Sequence, residues 1–105
     1  MINKVSLSIL ALAAVMFAAG PASAAGTAAA GKTKSESCVD CHGDDGKGDD
    51  ENPSIAGQAP EKFTKAMQEY QAGTRTKSAK MIKEAKKLNA QDIADLAAYY
   101  ATLKP

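Results

Sequence analysis

Histidine occurs once in this sequence and cysteine twice, and that scarcity removes whole classes of chemistry. A structural zinc site takes four Cys or His ligands, whereas the chain offers three in all. Alternating β-branched runs are missing, so a thioredoxin-like redox pair would lack its βαβ frame. The formal net charge of +1 provides no excess of one sign with which to hold nucleic acid. Neither an internal repeat nor a collagen-like period is visible. The apolar run from Val5 to Ala19 falls short of the ~20 residues that a membrane span needs.

That run has a different use. Lys4 precedes it, Gly20-Pro21 breaks it, and Ala22-Ser23-Ala24 supplies small residues at a cleavage position, which is the layout of an export signal. The expected division is a signal peptide over residues 1–24 and one domain over residues 25–105. The product is expected in the periplasm, without stable membrane insertion. Loss of Lys4 leaves twelve basic against twelve acidic side chains, a formally neutral polypeptide. About eighty residues bury only a small core, and domains of that size usually need a staple such as a disulfide, a metal or a large cofactor.

The candidates for that staple lie within five positions, Cys38-Val39-Asp40-Cys41-His42. C-x-x-C-H is the attachment pattern for c-type haem. One helical turn brings two thiols close enough to add to the two vinyl groups on one porphyrin edge, and the next residue presents an imidazole beneath the iron. His42 is then a neutral nitrogen ligand whose second ring nitrogen needs an acceptor to fix its orientation. A plain disulfide across the two cysteines would leave His42 without a role. Export is consistent with attachment, which belongs to compartments where free thiols would otherwise pair.

The remainder reads as helices joined by loops. Pro60 suits a first helical turn, and Phe63, Ala66, Met67 and Tyr70 follow at 3.6-residue spacing until Gly73, which predicts a helix over about Pro60 to Ala72. Asn89 with Asp92 is an N-cap signal for a second amphipathic helix over about Ala90 to Leu103, with Ile93, Leu96, Ala97, Tyr100 and Leu103 as its stripe. Met81, Ile82 and Ala85 among charges predict a brief helix between Ser78 and Lys87. The attachment site is expected on a helix from Gly31 to Cys41, followed by a Gly- and Asp-rich loop. Five acids between Asp44 and Glu51 raise the question of calcium. Aligning Gly43, Gly46 or Gly48 with the turn glycine of an EF-hand loop puts Cys38, Cys41 or Gly43 at the first ligand position, and none offers a side-chain oxygen.

From about Gly31 to Leu103 the chain resembles the small soluble bacterial class I cytochromes c. The likeness rests on Cys38-Val39-Asp40-Cys41-His42-Gly43, Asp45-Gly46-Lys47-Gly48, Pro53-Ser54-Ile55-Ala56-Gly57-Gln58 and the stretch from Leu88 to Tyr100. Similar domains occur as halves of dihaem cytochromes and as cytochrome subunits of sulfide-oxidising flavoproteins. The resemblance implies an all-α class I cytochrome c fold wrapped around one covalently attached haem c, and an electron carrier rather than an enzyme.

It also implies individual roles. Pro53, eleven residues after His42, is expected to accept the hydrogen bond of the ligand histidine with its carbonyl. Ile55 is expected to pack on the haem, and Gly57 to bring the backbone close to the porphyrin. Arg75 is a candidate partner for a haem propionate, with a solvated surface charge as the alternative. For the sixth ligand the family's usual methionine leaves Met67 and Met81. Met67 falls on an apolar stripe, where Met is normally core filler, and Met81 precedes Leu88 by the seven residues of the family's ligand loop. The expected axial pair is His42 and Met81, with Met67 or an open position as alternatives. His/Met ligation raises the potential.

One stretch departs from the family pattern. Lys32-Thr33-Lys34-Ser35-Glu36-Ser37 is almost wholly polar where apolar residues usually cross the C-terminal helix, so the crossing is expected to be loose or covered by another surface. Two functions follow for the whole protein. One is a diffusible periplasmic carrier exchanging electrons with redox partner proteins, acidic where they meet the Lys-rich stretch around Met81. The other is the haem c subunit of a multi-subunit oxidoreductase such as a flavocytochrome c sulfide dehydrogenase. A gas sensor or peroxidase with an open distal site is a third.

Overall fold

A computed structural model describes residues 25–105, and the expected export signal over residues 1–24 lies outside the described residues. Five helices make up the described chain: α1 (Ala28–Lys34), α2 (Glu36–His42), α3 (Pro60–Ala72), α4 (Ala79–Ala85) and α5 (Ala90–Thr102). No strand occurs among the described residues, in line with the expected all-α class.

The core forms where the stripes of α3 and α5 meet. Phe63 and Met67 from α3, Ala85 from α4, and Ile93, Leu96, Ala97 and Tyr100 from α5 are buried together. The rings of Phe63 and Tyr100 stack with centroids 5.8 Å apart. Helix α5 starts in a capping box in which the Asn89 side chain accepts from the Asp92 amide and the Asp92 carboxylate accepts from the Asn89 amide. Helix α4 is short and needs help at both ends. The Ser78 side chain accepts from the Met81 amide at 3.1 Å, and Gln71 Nε2 reaches over from α3 to the carbonyls of Ala85 and Leu88 at 3.0 and 2.9 Å.

The single helix expected from Gly31 to Cys41 is instead two, α1 and α2, joined at Ser35. Ser35 explains the joint. Its hydroxyl donates to the Lys32 carbonyl at 2.6 Å and its amide is shared between the carbonyls of Gly31 and Lys32, so the regular ladder is interrupted there.

The crossing of α1 over α5, expected to be loose, is tight and polar. Gly31 is buried, and a Cβ placed on it would lie 2.0 Å from the Asp95 carbonyl oxygen; backbone meets backbone with no side chain between. Beneath this contact Asp95 is 3% exposed. Its carboxylate accepts from Lys34 Nζ at 2.5 Å, the Thr27 amide at 2.9 Å and Gln91 Nε2 at 3.0 Å. Lys34 also pairs with Asp92 at 3.0 Å. Polar residues therefore hold this crossing because their partners are charged and within reach, a pattern that hydrophobic periodicity does not register.

Candidate functional site

The attachment motif lies on α2, where the two cysteines, three positions apart, share a face. Both thiols are free. Cys38 packs against the core, and burial pushes its thiol ionisation up. Cys41 Sγ is 3.1 Å from Lys80 Nζ. This contact brings the first turn of α4, which carries Met81, against the attachment motif.

His42 ends α2 with 5% of its surface exposed. Its Nδ1 lies 2.8 Å from the Pro53 carbonyl oxygen. A carbonyl can only accept, so Nδ1 carries the proton and the lone pair is left on Nε2. The Pro53 carbonyl is positioned by the loop between α2 and α3. Gly48 donates its amide to the His42 carbonyl at 2.7 Å. It adopts φ +69°, and a Cβ there would sit 2.1 Å from the Asn52 oxygen and 2.6 Å from the Pro53 oxygen, so only glycine lets the loop close on itself. The Asp49 carboxylate accepts from the amides of Glu51 and Asn52 at 2.9 and 2.8 Å. Those amides, Glu51 first, hold its pKa below the usual carboxylate range. The acidic loop therefore spends part of its charge on its own backbone.

Beyond Pro53, the amides of Ile55 and Ala56 both donate to the Gly46 carbonyl, at 2.7 and 3.0 Å, and Ile55 rests against the core. Gly57 donates to the Tyr100 carbonyl at 2.8 Å, and its open side faces Pro105 and the Leu103 carbonyl. Met67 is buried among core side chains, whereas Met81 is half-buried at the core's edge. Arg75 is part-exposed and paired. Its Nη2 pairs with Glu69 at 2.9 Å, its guanidinium lies 5.6 Å from the Tyr70 ring centroid, and its Nε is buried without a hydrogen-bond partner.

The donor set suits a covalently held haem. Two free thiols and an oriented imidazole with an available Nε2 lie on one short helix. No group of three or more His, Cys, Asp or Glu among the described residues is gathered closely enough to hold a metal ion. Two grooves of about 280 and 560 Å³ along α3 and α5 are lined by residues such as Thr64, Gln68 and Ala94, with no His, Cys or Met; neither offers a ligand to iron. Sequence reasoning missed one neighbour of the cysteines, Lys80, which read as one of many lysines. The contact joins distant segments, and no local motif marks it.

Comparison with known proteins agrees with this geometry. The family model for cytochrome c matches residues 28–104. Cytochrome c4 of Pseudomonas aeruginosa is 40% identical over 103 residues, covering 97% of this chain and 49% of that protein. The cytochrome subunit of sulfide dehydrogenase from Chlorobaculum tepidum is 37% identical over 86 residues, covering 82% of this chain and 77% of that protein. Among solved structures, reduced recombinant cytochrome c4 from Pseudomonas stutzeri matches with a TM-score of 0.67 at 34% identity, over 76% of this chain and 47% of that one. The chain spans about half the length of these cytochrome c4 proteins.

Proposed function

The chain belongs to the cytochrome c family, an electron carrier with covalently bound haem c and not itself an enzyme, and from that premise we propose that it is a periplasmic one-electron carrier with His42 and Met81 as axial ligands. The haem supplies a reversible one-electron couple. Cys38 and Cys41 hold the group, and His42 offers Nε2 to the iron. Pro53 keeps the Nδ1 proton in place, which fixes the ring's plane and raises its basicity as a ligand. The observation that carries this reading is the 2.8 Å contact between His42 Nδ1 and the Pro53 carbonyl, on the same helix as two free thiols. Covalent attachment is tested by acid acetone extraction: the haem stays with the polypeptide, and release from intact protein sinks the reading.

Met81 is supported over Met67 by its surroundings. Lys80 touches Cys41, so the next residue is near the attachment turn, while Met67 is enclosed by Phe63 and its neighbours. Met81→Ala should abolish the far-red charge-transfer band of the ferric protein and lower the potential. Met67→Leu, a volume-conserving change costing less than ~1.5 kcal/mol, should leave both nearly unchanged. The reverse pattern would move the ligand to Met67. Arg75, with its buried and unpartnered Nε, remains the candidate for a propionate. Export is supported by the leader-like residues 1–24, and among the described residues no helix is long and apolar enough to cross a membrane.

A second reading, the haem subunit of a larger oxidoreductase, is favoured by the likeness to a sulfide dehydrogenase subunit. The polar stretch before Cys38 adds less to it than the sequence suggested, because Lys34 is engaged with Asp92 and Asp95. Hydrodynamic size and co-purification from the native source separate the two readings.

A further inference from the structure

Helix α3 breaks its own pattern at Gln71. Phe63 and Met67 are core residues four positions apart, and the next position along that line holds an amide instead of an apolar side chain. Gln71 is half-buried there. Its Nε2 lies 3.0 Å from the Ala85 carbonyl oxygen and 2.9 Å from that of Leu88. A carbonyl only accepts, so the nitrogen end of the amide faces this pair and its two protons serve one oxygen each. Both oxygens belong to the turn between α4 and α5. The other end of the same segment is tied two residues back on α3: the amides of Thr74 and Arg75 donate to the Glu69 carbonyl at 3.0 and 3.2 Å, and Arg75 Nη2 pairs with the Glu69 carboxylate at 2.9 Å. The chain from Thr76 to Glu84, with Met81 on it, therefore hangs between two anchors on one helix. The bond from the Met81 amide to Ser78 shapes α4 from within and attaches it to nothing else. Lys80, which touches Cys41, is exposed, and water screens its charge.

We propose that Gln71 is a positioning residue for the axial methionine: its two hydrogen bonds hold the α4 end of the ligand segment on α3, which keeps Met81 in place and keeps outside bases off the iron. The inference deepens the reading of Met81 as axial ligand and rests on it. An outside base can bind only when Met81 has moved away, and that motion lifts α4 from α3, breaking both bonds and uncovering Ala85, which is fully buried. With leucine at position 71 the two carbonyls lose their side-chain donor in the closed form, whereas water supplies donors once the segment has opened. The balance then shifts towards opening.

The test titrates the haem-loaded ferric protein with imidazole and follows the far-red band. Gln71→Leu should bind imidazole about tenfold more tightly than the wild type, as befits the loss of two modest hydrogen bonds. Gly31→Ala, at the separate crossing of α1 and α5, should lower stability and leave imidazole affinity unchanged. Equal affinity in Gln71→Leu and the wild type overturns the proposal. So does an equal gain in Gly31→Ala, because the effect would then be one of global stability. If Gln71→Leu does not fold, hydrogen exchange in the haem-loaded wild type decides: the Gln71 side-chain amide protons should exchange as slowly as the α4 amides of Ile82 and Lys86, which donate to Ser78 and Ile82, and exchange at the solvent rate overturns the proposal. Met81→Ala separates this role from the ligand reading. Imidazole affinity in Met81→Ala no higher than in the wild type sinks Met81 as ligand, whereas a large gain there with none in Gln71→Leu sinks only the role of Gln71.

Discussion

Asp95 carries its charge beneath α1, covered by a thin layer of chain rather than sunk in the core. Lys34 first, then the Thr27 amide and Gln91, hold its pKa at about 2, below the ordinary 3.8. A folded-state pKa below the unfolded value means that the unfolded chain binds protons first as pH falls. The stabilisation is therefore complete above the unfolded value and is lost between about pH 4 and about pH 2. Asp92, lowered by the Asn89 amide and then by Lys34, likewise loses its contribution as pH falls below its ordinary value. The urea midpoint of the protein should fall through that range, and Asp95→Asn should flatten the fall while lowering the midpoint at neutral pH. An Asp95→Asn profile parallel to that of the wild type would show that the carboxylate is not what couples folding to pH.

Helices α3 and α5 were legible in the sequence because each turns an apolar face to the other, and a 3.6-residue period reports such a face. Helix α1 was not. Ala28–Lys34 has no apolar stripe, since its contact with α5 is made by backbone at Gly31 and by charge at Lys34. The bend at Ser35 was hidden for a related reason: a serine hydroxyl that captures a carbonyl looks in sequence like any polar surface residue. Gly31→Ala measures how much the backbone contact matters. In an isolated helix the change would help by about 1 kcal/mol. Here the new methyl would meet a main-chain oxygen at 2.0 Å, and a carbonyl cannot rotate away as a side-chain tip can. Overpacking in the upper part of the usual range, about 2–3 kcal/mol, then wins. A net loss of about 1–2 kcal/mol corresponds to roughly 5–15 °C in Tm for a domain of this size. Lys32→Ala, exposed on the same helix, should move Tm little. A Gly31→Ala protein as stable as the wild type would mean that α1 lies off α5 in solution.

At the scale of the molecule, the haem-attachment pattern was legible because C-x-x-C-H is local, while its contact to Lys80 depends on how distant helices meet. The surface charge was legible only in part. From Thr74 to Leu88 the sequence places Arg75, Lys77, Lys80, Lys83, Lys86 and Lys87 against Glu84 alone. Two of these six are paired in the structure, Arg75 with Glu69 and Lys87 with Glu84, and Lys80 lies on Cys41. The patch is therefore smaller than the count suggests, but Lys77, Lys83 and Lys86 remain exposed on or beside the helix that carries Met81. The acidic residues from Asp44 to Glu51 lie on another loop, so a nearly neutral protein can still carry a dipole. If the basic side meets an acidic redox partner, long-range attraction speeds encounter and salt weakens it as the screening length falls to ~8 Å at physiological ionic strength. The second-order electron-transfer rate with such a partner should drop roughly tenfold between low and physiological salt. Lys83→Glu and Lys86→Glu should each slow the reaction at low salt, converge towards the wild-type rate at high salt, and leave the haem potential unchanged. A rate flat with salt and indifferent to both reversals would exclude this face as the docking site, and a shifted potential would mean that the lysines act on the haem rather than on the encounter.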